Sequence, residues 1–398
     1  MSKSNETTPN VPTLRFPNYS GEWQVSPMGK VCTFSKGYGI SKENLSNDGT
    51  PCILYGELYT TYKTAIAKNI KSKTSLDSTI LFHSKKNDVI IPCSGETAED
   101  IATSVCIPYD DILLGGDLTV IRSDLDGAFL SNQINSVRKY DIARIAQGKS
   151  IVHLQADELK KISIAYPTID EQQKISGFID KIDERIEVQN KIISKYETLI
   201  KRLGCDYFSK QPNHIAKLKD LIIKGKAGGT PSSTVAEYYN GDIPFLNISD
   251  MTKQGKYVEF TEKYISENGL ANSSAWIVPS NSLILSMYAS VGLVCINKVP
   301  LATSQAMFSM VLKDCNMLDY IYYYLNFFRE TQIHRLLETG TQSNINADTV
   351  RDIEIPFYSN ILAFVKMLRA IENRLNNEKD MLSRLMDLKT YLLSSLFI

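Results

Sequence analysis

Several features that would narrow the class of this 398-residue protein are scarce or missing. Its seven cysteines are odd in number and widely spaced, and no Cys-x-x-Cys pair occurs. This argues against a zinc ribbon or a disulfide framework and favours reduced thiols. No apolar run approaches the ~20 residues of a membrane helix, and the polar start "MSKSNETTPNVPTLRF" lacks the apolar core of a signal peptide. We therefore expect a cytoplasmic protein without a membrane segment.

An excess of charge of either sign is also missing, because 44 basic side chains balance 44 acidic ones. No global field attracts a polyanion, so any basic surface must be local. Two lysine-rich segments qualify, "YKTAIAKNIKSKT" and "KLKDLIIKGKAGGT". Each fits either a solvated face or a face that contacts phosphates.

The motifs of catalysis are missing as well. The segment "QGKS" at residues 147–150 is similar to the end of a phosphate-binding loop, but Ala143 stands where the first glycine would be needed. The four histidines have no metal-ligand spacing, and neither a Gly-x-Ser-x-Gly elbow nor the polar-Pro-Pro-aromatic tetrapeptide of amino-methyltransferases occurs. Carboxylates and lysines in "PYDDILLG" and "DELKK" are spaced too loosely to indicate a metal nuclease. We expect no catalytic residue and no metal site.

The sequence does contain an internal repeat at a shift of 189 residues. The segment "YPTIDEQQKISGFIDKIDERIEVQNKIISKYETLIKRLGCDYF" ends the first half, and "IPFYSNILAFVKMLRAIENRLNNEKDMLSRLMDLKTYLLSSLF" ends the chain. Aligning Pro167 with Pro356 places Phe208 on Phe397 without a gap. The simplest description is two halves, each a variable body followed by a helix.

Both helical segments carry a heptad pattern, because apolar residues recur at alternating steps of four and three. This is the 3.5-residue period of a left-handed coiled-coil seam. The predicted seam residues are Ile175, Ile179, Ile182, Ile186, Ile193, Tyr196, Ile200, Leu203, Leu368, Ile371, Leu375, Leu382, Leu385 and Leu392. Gln189 and Glu378 interrupt the seam at equivalent positions. They fit either a buried polar layer that specifies register or a solvated break.

The length of the first helix predicts how the two helices pair. A helix from about residue 170 to about 209 is about 60 Å long at 1.5 Å per residue. A second helix of equal length that leaves body two can pair with it only by running back, which predicts an antiparallel pair with a body at each end. The alternative is a helical bundle inside one compact domain, and the strand-like runs of the bodies disfavour it.

The bodies predict an α/β (α+β) fold. Strand-like runs such as "DVIIPCS", "DLTVIRS" and "AMFSMVL" alternate with short helical segments and with Gly- and Asn-rich turns. The predicted regions are an N-terminal tail at 1–26, body one at 27–165, a first helical region at 166–210, body two at 211–355 and a second helical region at 356–398.

Polar, aromatic and Gly-rich loops recur in both bodies. Examples are "LYGELYTTYKTAI" in body one and "GKAGGTPSSTVAEYYNGDIPFLNISDM" in body two. Such loops supply hydroxyl, amide and carboxylate groups for base edges, and lysines and backbone amides for phosphates. Ordinary protein interfaces use the same residue types, so the loops alone do not decide between DNA and protein partners.

The whole chain resembles the specificity (S) subunits of type I restriction-modification enzymes. The segments that carry the resemblance are "LRFPNYSGEW", "GGTPSSTVAEYYNGDIPFLNISDM", "NSLILSMYASVGLVCINKVPLATSQAMF", "YPTIDEQQKISGFIDKIDERIEVQNKIISKYETLIKRL" and "LKTYLLSSLF". One departure is the entry to the second helix, "YSNILAFV", where the family has a Pro-Glu-Gln-Gln-like sequence. The first helix keeps its version as "IDEQQKI".

The resemblance implies a non-catalytic subunit with two target-recognition domains, each reading one half of a bipartite double-stranded DNA target. It implies two modification subunits, which bind S-adenosylmethionine and methylate adenines, and two restriction subunits, which use ATP and Mg. No cofactor is expected in this chain. A coiled-coil adaptor between proteins, without sequence-specific DNA binding, is the alternative.

The predicted DNA contacts are chosen because they fall in predicted loops. Each is also compatible with a structural role, such as capping a helix or packing an aromatic ring in the core. In body one they are Tyr59, Thr60, Tyr62, Lys63 and Arg122, and in body two they are Lys226, Thr230, Ser232, Asn247, Ser286, Tyr288 and Gln305.

Overall fold

A computed structural model describes residues 10–148, 151–336 and 344–398. The chain divides into two compact units. Unit 1 contains residues 1–192 and 378–398, and unit 2 contains residues 193–377. Each unit therefore holds one α/β body together with parts of both long helices.

Unit 1 is built around an antiparallel four-stranded sheet in the order β2-β10-β6-β8. Its strands are β1 (Gln24–Pro27), β2 (Cys32–Lys36), β3 (Leu45–Ser46), β4 (Thr50–Ile53), β5 (Lys73–Thr74), β6 (Val89–Pro92), β7 (Ser94–Gly95), β8 (Val105–Cys106), β9 (Leu113–Leu114), β10 (Leu118–Ser123), β11 (Val152–His153) and β12 (Ser163–Tyr166). Its short helices are α1 (Met28–Val31), α2 (Glu57–Thr60), α3 (Ala98–Ile101), α4 (Gly127–Asn135), α5 (Lys139–Ile145) and α6 (Ala156–Leu159).

Side chains point alternately to the two faces along these strands, and the central sheet of unit 1 is apolar on both faces. Ile121 faces one buried cluster together with Leu130 of α4. Val120, its neighbour in sequence, faces another cluster together with Leu58 of α2 and Leu114 of β9. Since successive side chains of a strand point to opposite faces, the sheet separates a helical layer from a smaller lobe of short strands and loops.

Unit 2 has the same plan, with a five-stranded sheet in the order β14-β21-β18-β19-β16 and a three-stranded sheet in the order β17-β15-β20. Its strands are β13 (His214–Lys217), β14 (Ile222–Ala227), β15 (Ile243–Leu246), β16 (Tyr257–Val258), β17 (Lys263–Ile265), β18 (Leu283–Ser286), β19 (Val294–Asn297), β20 (Ala302–Thr303), β21 (Met307–Leu312) and β22 (Glu354–Phe357). The two long helices, which both units share, are α7 (Ile169–Phe208) and α13 (Ile361–Leu396). Its short helices are α8 (Leu218–Leu221), α9 (Ile248–Gln254), α10 (Glu267–Ala271), α11 (Leu318–Thr331) and α12 (Ala347–Arg351).

The internal repeat extends from the helices into the bodies. Strand β1, helix α1 and strand β2 recur as β13, α8 and β14, and antiparallel pairing of β1 with β12 recurs as pairing of β13 with β22. Small details recur too. The Leu54 amide donates to the Glu57 carboxylate at 2.8 Å, and the Asn247 amide donates to the Asp250 carboxylate at 2.9 Å. The bodies are thus structural copies, although their sequences differ.

Helices α7 and α13 pack antiparallel in each unit, as the sequence predicts. In unit 1, Ile179 shares a buried cluster with Leu392, and Asp183 Oδ1 lies 2.5 Å from Lys389 Nζ. Contacts therefore move back along α13 as the numbering rises along α7. In unit 2, the ring of Tyr207 stacks on Phe364 with a 3.7 Å centroid distance. All the predicted seam residues are buried or half-buried.

The two polar residues that interrupt the seam contact each other within unit 1. Gln189 is only 3% exposed, and its Nε2 donates to Glu378 Oε2 at 2.6 Å and to the Glu378 carbonyl at 3.0 Å. The two positions are equivalent in the repeat, so each residue contacts its own counterpart. This decides between the alternatives that the sequence leaves open: the interruption is a buried polar layer.

Residues 10–23, which fall in the predicted N-terminal tail, pack against unit 1. The Leu14 amide donates to the Ser395 carbonyl at 2.9 Å, and Arg15 makes two hydrogen bonds of 2.8 Å to the carboxylate of Glu171. Trp23 is buried, with its ring 5.6 Å from that of Phe129. This part of the predicted tail is therefore an integral part of unit 1. None of the helices in the described part of the chain has both the length and the apolar composition needed to cross a bilayer.

Candidate nucleic-acid interface

Three loops of unit 2 meet at one end of its central sheet. Strands β14 and β18 end there and β21 begins there, because β21 runs antiparallel to both. The Gly228 amide donates to the Met307 carbonyl at 3.1 Å, and the Met287 amide donates to the Ala306 carbonyl at 2.8 Å. We call residues 226–230, 286–292 and 304–306 the strand-end surface of unit 2.

Four predicted contact residues lie exposed on this surface, namely Lys226, Thr230, Tyr288 and Gln305. The Thr230 hydroxyl donates to Gln305 Oε1, which orients the amide of Gln305. Gly228 allows the close approach of the loops, because a Cβ there would lie 2.0 Å from the carbonyl oxygen of Thr303. The structure thus brings together polar side chains from loops that are about 75 residues apart in sequence.

Two other predicted contacts of unit 2 have structural roles. Ser286 is fully buried, and its hydroxyl donates to the carbonyls of Tyr288 at 2.5 Å and Ala289 at 2.8 Å. The hydroxyl of Ser286 is therefore inaccessible to solvent and engaged within the loop. Asn247 is half-buried at the N-terminal cap of α9. Ser232 is exposed just beyond the strand-end surface, 2.8 Å from the hydroxyl of Thr234.

The edge strand β14 carries two exposed lysines on one face of the sheet. Lys224 pairs with Val311 and Lys226 pairs with Ser309, so their side chains point to the same side. The Lys224 ammonium lies 4.1 Å from the centre of the Trp276 ring, a cation–π contact. Neither lysine forms an ion pair with a carboxylate among the described residues. Lys224 is not among the contacts predicted from the sequence, although the spacing of two residues along a strand could have indicated it.

Unit 1 has an equivalent strand-end surface, formed by residues 36–40, 93–96 and 115–117. The Gly37 amide donates to the Leu118 carbonyl at 3.0 Å, matching the Gly228 contact in unit 2, and the Cys93 amide donates to the Asp117 carbonyl at 2.7 Å. Exposed Lys36 and Tyr38, which is 53% exposed, lie here. No predicted contact of body one lies on this surface, because the repeat within the bodies is not visible in the sequence.

The predicted contacts of body one lie elsewhere in unit 1. Tyr59 and Thr60 belong to α2, and exposed Lys63 donates from Nζ to the Tyr59 carbonyl at 3.1 Å. Tyr62 is only 8% exposed, and burial raises the pKa of its phenol. Its ring belongs to the apolar core of the lobe, so Tyr62 has a packing role in this conformation.

Arg122 on β10 pairs with Asp88, the residue before β6. Its Nε and Nη2 each lie 2.6 Å from the carboxylate of Asp88, which is 1% exposed. The hydrogen bonds to Asp88 raise the pKa of Arg122. Because the buried carboxylate engages the guanidinium at two atoms, Arg122 has a structural role, and its charge is largely compensated.

The described ranges 10–148, 151–336 and 344–398 contain no group of three or more His, Cys, Asp or Glu side chains placed to hold a metal ion. Lys149 and Ser150 of the "QGKS" segment lie outside these ranges. All seven cysteines are described and none forms a disulfide. Burial raises the pKa of the Cys32 and Cys52 thiols to about 11, which disfavours their reactive thiolate form.

Fold and site together define a protein of two equivalent α/β modules, each with polar side chains on exposed strand ends. The model of one family, the type I restriction modification DNA specificity domain, matches residues 20–198 and again residues 212–359. The chain therefore belongs to this family and carries two copies of its domain. The matched domain is a DNA-specificity domain and not a catalytic one.

Two curated relatives are similar to parts of the chain. The specificity subunit of the type I restriction enzyme HindI from Haemophilus influenzae is 31% identical over 180 residues, which are 43% of this chain and 38% of that protein. The specificity subunit of the enzyme MjaIX from Methanocaldococcus jannaschii is 30% identical over 147 residues, which are 36% of this chain and 34% of that protein. The matched segments thus span little more than a third of each relative.

Two solved structures share the fold over nearly the whole chain. The S subunit of a type I restriction-modification system from M. genitalium superposes with a TM-score of 0.62 at 16% identity, covering 98% of this chain and 99% of that one. A chain from a study of complex assembly and conformational transition of the type I R-M system has a TM-score of 0.59 at 16% identity, covering 94% and 97%. At 16% sequence identity, the structural similarity establishes the fold alone.

Proposed function

We propose that this chain is the non-catalytic sequence-recognition subunit of a type I restriction-modification complex, in which each unit reads one half of a bipartite target in double-stranded DNA. The observation that carries the proposal is the two-fold match to a DNA specificity domain, once in each half of the chain. The recurrence of an exposed strand-end surface in both units supports it. A protein that reads two half-sites requires two such surfaces.

In unit 2, the proposed contacts are Lys226, Thr230, Ser232, Tyr288 and Gln305. All five are exposed. Hydroxyl and amide groups suit base edges in the major groove, and lysine suits phosphates. Asn247 is retained as a secondary candidate because it is half-buried at a cap.

In unit 1, the proposed contacts divide between two places. Tyr59, Thr60 and Lys63 on and beside α2 are retained from the sequence prediction, since Thr60 and Lys63 are exposed. Lys36 and Tyr38 are added, because they occupy the surface equivalent to that of unit 2.

The proposed partners are two modification subunits, which bind S-adenosylmethionine, and two restriction subunits, which use ATP and Mg, in the cytoplasm. This chain would supply no cofactor. The exposed apolar side chains on the long helices support a protein partner there. In unit 1 they include Phe178 at 37%, Val188 at 51%, Met386 at 54% and Tyr391 at 59% exposure. Exposed apolar side chains that form a contiguous patch mark protein–protein contacts.

Methylome sequencing of cells with and without this chain tests the proposal. We expect one bipartite motif, methylated on adenines of both strands, to be lost when the chain is deleted and restored when it is returned. Purified chain that methylates DNA without a partner would contradict the non-catalytic role. If the complex with modification subunits shows no preference among DNA sequences in filter binding, the adaptor alternative would replace the proposal.

A further inference from the structure

The connection between β18 and β19 in unit 2 is a tight hairpin tip, residues 287–293. The Gly292 amide donates to the Ser286 carbonyl at 2.8 Å, and the Leu293 amide donates to the Ser290 carbonyl at 3.1 Å. The side chain of Met287 is only 4% exposed and anchors the start of the tip in the core of unit 2. Backbone hydrogen bonds and one buried side chain thus hold the tip at both ends.

The backbone of the tip is strained. Ala289 and Ser290 have φ values of 37° and 53°, in the left-handed region that side chains other than glycine rarely adopt. Gly292 has a φ of 78°, and a Cβ there would lie 2.3 Å from Ile333 Cδ1. Such conformations persist where the surrounding structure enforces them, and they are concentrated at ligand-binding sites.

The buried hydroxyl of Ser286 supports this conformation from inside. It donates to the carbonyls of Tyr288 and Ala289, the two peptide groups that begin the left-handed turn. These carbonyls face inward, so the side chains of Tyr288, Ala289 and Ser290 face solvent in succession. The tip therefore presents three neighbouring side chains on a backbone that is already ordered.

A loop that reads bases should be ordered before it binds DNA, because a preformed loop loses little conformational entropy on binding. The equivalent connection in unit 1, between β6 and β8, spans residues 93–104 and contains helix α3 instead of a tip. The strained tip is thus specific to unit 2 and not a constant part of the fold. This difference points to a role in what unit 2 recognises.

We propose that the hairpin tip is a preformed base-reading element of unit 2, in which Tyr288 determines specificity at one or two adjacent base pairs and Ser286 is a positioning residue. The phenol of Tyr288 can donate to and accept from base edges, and its ring can contact a thymine methyl group. This inference rests on the proposed function, since it names the residues by which unit 2 reads its half-site.

The test compares Tyr288→Ala, Tyr288→Phe and Ser286→Ala in the complete complex with modification subunits. Tyr264→Ala is the matched control, because Tyr264 is 41% exposed on β17 of the same unit, against 42% for Tyr288. The substrate is a DNA library with both half-sites randomised, and the readout is the methylated motif by sequencing. Affinity for the wild-type target is measured in parallel at fixed salt.

Tyr288→Ala should relax one or two adjacent positions of one half-site, leave the other half-site and the spacing unchanged, and lower affinity for the wild-type target about tenfold. Ser286→Ala should relax the same positions, and the double variant should be no worse than Tyr288→Ala, because both act through the same side chain. Tyr288→Phe separates the contribution of the hydroxyl from that of the ring. Tyr264→Ala should leave the motif unchanged.

An unchanged motif in Tyr288→Ala, with either normal or uniformly lower methylation, would overturn the inference. A Ser286→Ala complex that loses methylation at all sites equally would contradict the positioning role and indicate a structural one. If the wild-type complex itself methylates no bipartite motif, the proposed function fails. If the wild-type complex does methylate a bipartite motif, but the Tyr288 variants give the same motif as Tyr264→Ala, the proposed function stands and this inference fails.

Discussion

At the scale of single residues, edge strand β14 of unit 2 presents two exposed lysines on one face. Lys224 and Lys226 point to the same side, and the Trp276 ring holds the Lys224 ammonium in place by a cation–π contact. Charge that carboxylates do not compensate remains available for phosphates. Arg122 in unit 1 shows the contrast, because buried Asp88 engages its guanidinium.

Replacing Lys224 or Lys226 by Gln should therefore weaken binding to all DNA sequences alike. Each lost phosphate contact should reduce the slope of log affinity against log salt by about 1, and the methylated motif should not change. Fluorescence anisotropy of the complex between low and moderate salt measures the slope. Lys263→Gln, an exposed lysine on β17, is the control. A changed motif with an unchanged slope would assign these lysines to base reading instead.

Exposure of loop residues such as Thr230 and Gln305 could be predicted from their polar, Gly-rich context, but the burial of Ser286 could not. Ser286 is the last residue of β18, and its environment depends on the pairing of β18 with β21. Strand register sets the face of every side chain, and it is decided by partners distant in sequence. A single serine two residues before a Tyr-Ala-Ser turn carries no signal of that register.

At the scale of elements, a buried ionic cluster joins α11 to α13 in unit 2. Lys256 Nζ lies 3.0 Å from Asp319 Oδ1 and 2.6 Å from Glu372 Oε2, and Arg369 also pairs with Asp319. Burial acts to raise the pKa of Asp319, but the two cations outweigh burial, so the pKa is lowered. A lowered carboxyl pKa means that the folded state favours the charged form.

Asp319→Asn should lower the free energy of unfolding by about 2 kcal/mol at neutral pH, because it leaves Lys256 and Arg369 with a weaker partner. The stabilisation by Asp319 is present above the ordinary carboxyl pKa of about 4 and is lost as the pH falls through the lower folded value. The difference in the free energy of unfolding between the variant and the wild type should therefore disappear below about pH 4. Urea unfolding from pH 3 to pH 7 measures it, and a gap that does not depend on pH would contradict the ionic origin.

The N-terminal segment of unit 1 offers a second test at this scale. Arg15→Ala should destabilise unit 1 by about 3 kcal/mol, because it leaves the carboxylate of Glu171, whose side chain is 2% exposed, without its cation. Thermal unfolding, together with faster proteolysis within residues 10–22, measures the effect. Arg144→Ala, at an exposed position of α5, is the control. Equal unfolding temperatures for the two variants would show that residues 10–23 are not an integral part of the unit.

At the scale of the whole molecule, the chain is two copies of one plan. The copies share the order of four strands of the central sheet and the antiparallel contacts of α7 with α13, while their exposed loops differ. Gln189 and Glu378 are equivalent positions of the two repeats, and they contact each other within unit 1. Family membership in both halves agrees with this duplication.

The 3.5-residue period predicts the effect of changing the helices. One heptad inserted after Gln189 together with one after Glu378 should keep the seam in phase and add about 10 Å of helix. We expect the unread gap between the half-sites to grow by about three base pairs, at 3.4 Å per base pair, with both half-sites unchanged. Methylome sequencing gives both quantities. Insertions of three residues, which break the phase, are the control, and altered half-sites in the heptad variant would contradict this expectation.

The duplication, the heptad seam and the lack of catalytic motifs are visible in the sequence, because each is a regular or local pattern along the chain. The fold was needed to show that Gln189 contacts Glu378, that Ser286 is buried, that Asp88 engages Arg122 and that residues 10–23 pack into unit 1. The burial and partner of a polar group depend on segments far away in sequence, and no local pattern specifies them. For the same reason, composition indicates which loops are polar, but only the fold shows which of those loops meet to form the strand-end surfaces.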